Sequence, residues 1–82
     1  MKTQDRILKA FWRRGRKCFV PLMGGEVERL AHPAATTEIR AALRDMVASG
    51  KAEKTKYGGN MLLYELTEDG RSDAMRLIGA LA

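Results

Sequence analysis

Cysteine and histidine are almost missing from this chain: it has one of each, with two prolines, one Trp, two Tyr and two Phe in 82 residues. A lone Cys18 excludes an intrachain disulfide, and with His32 as the only imidazole there is no Cys/His set to hold a metal. Long apolar runs are missing as well. The longest span a few residues, against the roughly 20 that cross a bilayer. Lys2, Asp5, Arg6 and Lys9 interrupt any apolar secretory core at the start. A reducing cytoplasm is therefore expected, with no membrane partner. There is no second His for base chemistry, no glycine loop followed by Lys-Ser/Thr, and no Ser or Cys beside an evident activator, so no enzyme and no cofactor is expected. At 82 residues the expectation is one domain, 1–82, that buries about 60–65% of its unfolded surface.

Acidic residues are scarce at one end only. Residues 1–21 hold seven Lys/Arg against Asp5 alone, within a net charge of +5. A local basic end points to a polyanion partner or to a solvated face.

What is present is periodicity. Thr36 to Ser49 places Ile39, Ala42, Leu43, Met46 and Val47 at helical spacing with one buried face, and Gly50 stands where positive φ ends a helix. Ala52 to Lys56 and Met61 to Leu66 are strand-like runs flanking Tyr57-Gly58-Gly59-Asn60, which predicts a hairpin. Thr67 can cap a last helix, with Glu68 and Asp69 at its positive end and Ala74, Leu77, Ile78 and Leu81 on one stripe. Upstream, Thr3 to Arg14 reads as a first helix with Ile7, Ala10 and Phe11 on one stripe and Leu8 and Trp12 on a neighbouring one. That second stripe either packs under the last helix or forms a dimer interface with Leu77 and Leu81. Cys18 to Leu22, ended by Pro21, suits a short edge strand beside the hairpin. Gly24-Gly25 breaks the chain before a short helix from Glu26 to Ala31, and Pro33 makes a turn after it.

Glu38-Ile39, Ala42-Leu43, Met46-Val47 and Gly50, followed by Tyr64-Glu65-Leu66-Thr67-Glu68-Asp69-Gly70-Arg71, resemble the recognition helix, its cap and the return strand of winged helix-turn-helix DNA-binding domains of bacterial or phage transcription regulators. With the two upstream helices the resemblance covers residues 3 to 75. It implies an α+β, mostly helical fold in the order helix, short strand, helix, helix, β-hairpin wing, C-terminal helix. It also implies a small sequence-specific regulator that binds double-stranded DNA, probing the major groove with helix 36–49 and the backbone or minor groove with the 52–66 wing. The other reading is a winged-helix module for protein contact, such as an accessory or inhibitor protein docking on a larger complex.

With Ile39, Leu43 and Met46 buried, a 100° step per residue turns Thr37, Ala41, Arg44 and Ala48 outward, flanked by Arg40. Arg40 and Arg44 can bond a guanine edge or hold phosphates, and Ala41 can touch a thymine methyl. Thr36 and Thr37 suit a phosphate contact at the helix start. Glu38 and Asp45 bring negative charge near the same surface, to meet cytosine or to pair with Arg. In the hairpin, Lys54, Lys56, Tyr57 and Asn60 can track phosphate, or the lysines can simply blunt an edge strand. Arg13, Arg14, Arg16 and Lys17 are expected off the groove, serving flanking DNA, a second partner or nothing.

Overall fold

The computed structural model describes residues 2–15, 19–59 and 61–81. Its elements are α1 (Thr3–Gly15), β1 (Leu22–Met23), α2 (Gly24–Leu30), α3 (Thr36–Ala48), β2 (Ala52–Lys56), β3 (Leu62–Leu66) and α4 (Glu68–Leu81). The architecture is α+β and mostly helical, with one antiparallel three-stranded sheet of order β1-β3-β2. No helix among the described residues is long and apolar enough to cross a membrane.

Helix α1 begins with Asp5 in its first turn and ends with Arg13 and Arg14 in its last, charges that complement the helix dipole. Its buried Ile7, Leu8 and Phe11 meet Val27 of α2, Ile39, Leu43 and Met46 of α3, Leu66 of β3 and Ala74 of α4 in one cluster. Each of the larger side chains contributes about 1.5–3 kcal/mol by leaving water. Leu8 is buried in the core and Trp12 packs half-buried against it, so the second apolar stripe of α1 is largely covered within one chain; α1 also packs against α4. The side chain of Leu81 lies outside the described residues.

α1 runs on to Gly15, α2 ends at Leu30 and α3 at Ala48, each one residue from the sequence expectation, and three starts also move. The first strand starts after Pro21 instead of ending there, because Phe19 takes a left-handed φ of 51° and drops its ring into the core rather than extending the chain. Leu22 and Met23 then pair antiparallel with Tyr64 and Leu63, so β1 does lie beside the hairpin as its third strand. Cys18 is outside the described residues. Gly24 and Gly25 form the first turn of α2 instead of breaking the chain before it. Finally, β3 starts at Leu62, since Met61 closes the turn by donating its N–H to the Gly58 carbonyl at 3.1 Å.

The end of α3 is tightly specified. Gly50, at φ 79°, donates to the Val47 carbonyl at 3.2 Å, and the Lys51 N–H donates to the Met46 carbonyl at 2.8 Å, which satisfies two otherwise orphaned helix carbonyls. Thr67 then ties the far end of β3 to the same corner. Its N–H donates to the Lys51 carbonyl at 3.0 Å, and its hydroxyl donates to the Gly50 carbonyl at 2.6 Å. The same hydroxyl oxygen accepts the Gly70 N–H at 3.2 Å and so caps α4, as its position in the sequence predicts. Gly70 lies so close to the Lys51 carbonyl that a Cβ there would collide with backbone. The Lys51 ammonium reaches Asp73 Oδ2 at 2.8 Å, and Arg76 pairs with the same carboxylate.

Two outcomes test this corner. Gly70→Ala should destabilise the fold by about 1–3 kcal/mol in urea denaturation, reversing the roughly 1 kcal/mol gain that alanine gives in an unconstrained helix. The hydrogen bond from Lys51, with the Lys51 and Arg76 charges, holds the Asp73 carboxyl below the usual carboxylate range against the opposing effect of burial. A carboxyl with a depressed native pKa stabilises the fold above its unfolded pKa, and that contribution is lost as pH falls through the native value. Wild-type stability should therefore decline across acidic pH more steeply than that of Asp73→Asn, with the two curves converging at the acid end.

Candidate functional site

The exposed side of α3 is electrostatically divided. On one edge, Arg40 and Arg44 look across an open cleft toward β2 and β3, while on the other Glu38 accepts a hydrogen bond from the Thr3 hydroxyl at 3.3 Å. Glu38 is thus turned toward α1 and pairs with no arginine among the described residues. Asp45 lies on the Glu38 edge by helical spacing, and between the two edges Thr37, Ala41 and Ala48 are exposed.

Arg40 has a partner that spacing along α3 could not reveal. Its Nε donates to Glu28 Oε1 of α2 at 2.9 Å, although the Arg40 side chain remains 68% exposed. Screened by solvent, such a pair is worth little and opens readily. Arg44 makes no ion pair among the described residues. Thr36 and Thr37 are exposed in the first turn of α3, where residue 35 is alanine and provides no side-chain cap.

Strand parity explains how the hairpin joins this edge. Ala52 pairs with Leu66, Lys54 with Tyr64 and Lys56 with Leu62, so all six side chains stand on one face of the sheet. At the base of the hairpin that face is core, with Ala52 and Leu66 buried. Toward the tip the same face overhangs α3, and Lys54, Leu62 and Tyr64 become one wall of the cleft. The cleft holds about 840 Å³, with Leu43 and Val47 of α3 on the opposite wall and Glu26 and Glu28 at the α2 end. Its apolar wall was not evident from the sequence, where Leu62 and Tyr64 read only as strand residues. Tyr57 is 60% exposed at the hairpin tip, beside Gly58 and Gly59 at positive φ; Asn60 is outside the described residues.

The opposite face of the hairpin is acidic. Glu53 stands directly across from Glu65, and both are exposed. Of the residues from 13 to 17, Arg14 pairs through Nε with Glu26 Oε2 at 3.3 Å, Arg13 projects from α1 away from the cleft, and Arg16 and Lys17 lie outside the described residues. So α3 and the hairpin bring Arg40, Arg44 and Lys54 onto one cleft, with Lys56 on the same sheet face, while Thr36, Thr37, Ala41 and Tyr57 do not line it.

No protein-family model, curated protein or solved structure matches this chain.

Like charges directly opposite on adjacent strands repel. Glu53→Gln should therefore raise stability by about 0.2–1 kcal/mol at low ionic strength. The gain should shrink in high salt, as screening removes the repulsion. Paired denaturation curves at two salt concentrations check both statements.

Proposed function

We propose that the chain is a winged helix-turn-helix module that binds duplex DNA as a small cytoplasmic transcription regulator, with α2 and α3 as the helix pair and β2 with β3 as the wing. In this reading α3 enters the major groove. Arg44 meets a base edge or phosphate, Ala41 allows close approach, and Thr36 and Thr37 meet phosphate beside the first-turn N–H groups. Lys54, Lys56, Tyr57 and Asn60 follow the backbone or an adjacent minor groove.

One observation carries the reading: Arg40, Arg44 and Lys54, from two separate elements, line the same cleft, with small residues Thr37, Ala41 and Ala48 exposed on the adjoining face of α3. Glu38 of α3 and the Glu53–Glu65 pair of the hairpin are turned elsewhere, while Glu26 and Glu28 of α2 stand at one end of the cleft. Arg40 contributes by exchanging Glu28 for phosphate. Two copies would place two α3 helices about 34 Å apart on successive half-sites. Met75, 55% exposed, is the large apolar side chain that α4 offers to such a homodimer.

A second reading has its own support. The cleft between α3 and the hairpin is walled by Leu43, Val47, Leu62 and Tyr64, more apolar than phosphate recognition needs. That suits a winged-helix module that docks on a protein, in the manner of an accessory or inhibitor protein.

Salt separates the two. A DNA binder should lose orders of magnitude in affinity for duplex DNA between roughly 50 and 200 mM salt. Arg44→Ala should cost about 1–3 kcal/mol on a preferred site, and Lys54→Ala with Lys56→Ala should weaken all sequences alike while reducing the salt slope by about one for each phosphate no longer neutralised. Unchanged DNA affinity in all these variants, measured by fluorescence anisotropy, would overturn the DNA reading in favour of protein docking.

A further inference from the structure

Helix α1 turns a second charged face to solvent. Lys2, Arg6, Lys9 and Arg13 recur at helical spacing and fall in one stripe on the side away from buried Ile7 and Phe11. Arg6, Lys9 and Arg13 line a concavity of about 180 Å³, completed by Ala10, by Leu30 of α2 and by His32 of the turn before α3. No carboxylate lines it, and none of the three cations makes an ion pair among the described residues. Asp5, one turn before Lys9, is not among its walls. Neighbouring Arg14, by contrast, is directed to Glu26.

Like charges one turn apart destabilise the helix that carries them, and an anion seated between them reverses the sign of that effect. The concavity has the volume of about six liquid waters at roughly 30 Å³ each, room for a phosphate or diphosphate group. We propose that Arg6, Lys9, Arg13 and His32 form a phosphate-binding seat, distinct from the α3 and hairpin surface. The two guanidinium groups, the Lys9 ammonium and an imidazole N–H each donate to phosphate oxygens, and Leu30 and Ala10 form the apolar floor. No residue that lines this concavity also lines the cleft between α3 and the hairpin. The seat therefore takes its own phosphate. That group is either a backbone phosphate of nucleic acid or a free phosphate compound.

His32 is the only histidine, so its imidazole proton resonances report on the seat without ambiguity. Pyrophosphate titrated into the full chain at fixed pH and fixed chloride-balanced ionic strength should shift them saturably. The apparent Kd should weaken about tenfold or more in Arg6→Gln with Arg13→Gln, exposed or half-exposed positions whose far-UV circular dichroism should be unchanged, and should stay put in Arg44→Ala. No saturable shift up to about 10 mM, or an equal shift in the double variant, overturns the seat. A short duplex gives the source. If it moves the His32 resonances in wild type and not in Arg6→Gln with Arg13→Gln, the seat holds a backbone phosphate; if only pyrophosphate moves them, it holds a free phosphate compound. Either result supports the seat. Loss of duplex binding in Arg44→Ala tests the α3 surface separately.

Discussion

The structure converges on the backbone of Lys51. Its N–H closes the end of α3, its carbonyl receives the return of β3 through Thr67, and the same carbonyl meets α4 at Gly70 without room for a Cβ. Four elements are thus rooted within a few residues of one another. The consequence reaches the cleft, because Arg44 extends from a helix that ends at this root and Lys54 from a strand that begins at it. Their separation is fixed by backbone hydrogen bonds on buried or half-buried groups, which resist change far better than solvated side-chain pairs do.

Charge is sorted more finely than the net +5 suggests. Helix α2 contributes Glu26 and Glu28, which engage Arg14 and Arg40, so each neighbouring helix has one arginine engaged and others without ion pairs among the described residues. Arg44 is left so on the cleft side, and Arg6, Lys9 and Arg13 on the far side of α1. The acidic groups on α3 and the hairpin occupy separate faces. This leaves two basic surfaces with different neighbours: an apolar wall beside one, an imidazole beside the other.

Much of this architecture was legible because its signals are local. The spacing of Ile39, Leu43 and Met46, the positive φ at Gly50 and the cap at Thr67 each depend on residues within one or two turns, and each appears where the sequence predicts it. The β2 limits were equally plain, since Gly50 ends the helix before it and the Tyr57-Gly58-Gly59-Asn60 turn follows it. What was hidden depends on tertiary pairing. Nothing within α3 tells that Arg40 meets Glu28, or that Glu38 meets Thr3, since these partners come from α2 and α1. Phe19 misled for a related reason: its β propensity predicts extension, but burying the ring outweighed a relaxed backbone. The cleft wall of Leu62 and Tyr64 emerges only when strand register is combined with the overhang of the hairpin beyond the core.

The central position of β3 bears on how copies of this chain can meet. Both flanks of the sheet are poor templates for further strands: β1 offers only two residues, and β2 exposes Glu53, Lys54, Thr55 and Lys56 in succession. Docking a new strand there would draw these ionised groups toward a neighbour and strip part of their hydration. Edge-to-edge growth into ribbons or fibrils is accordingly disfavoured.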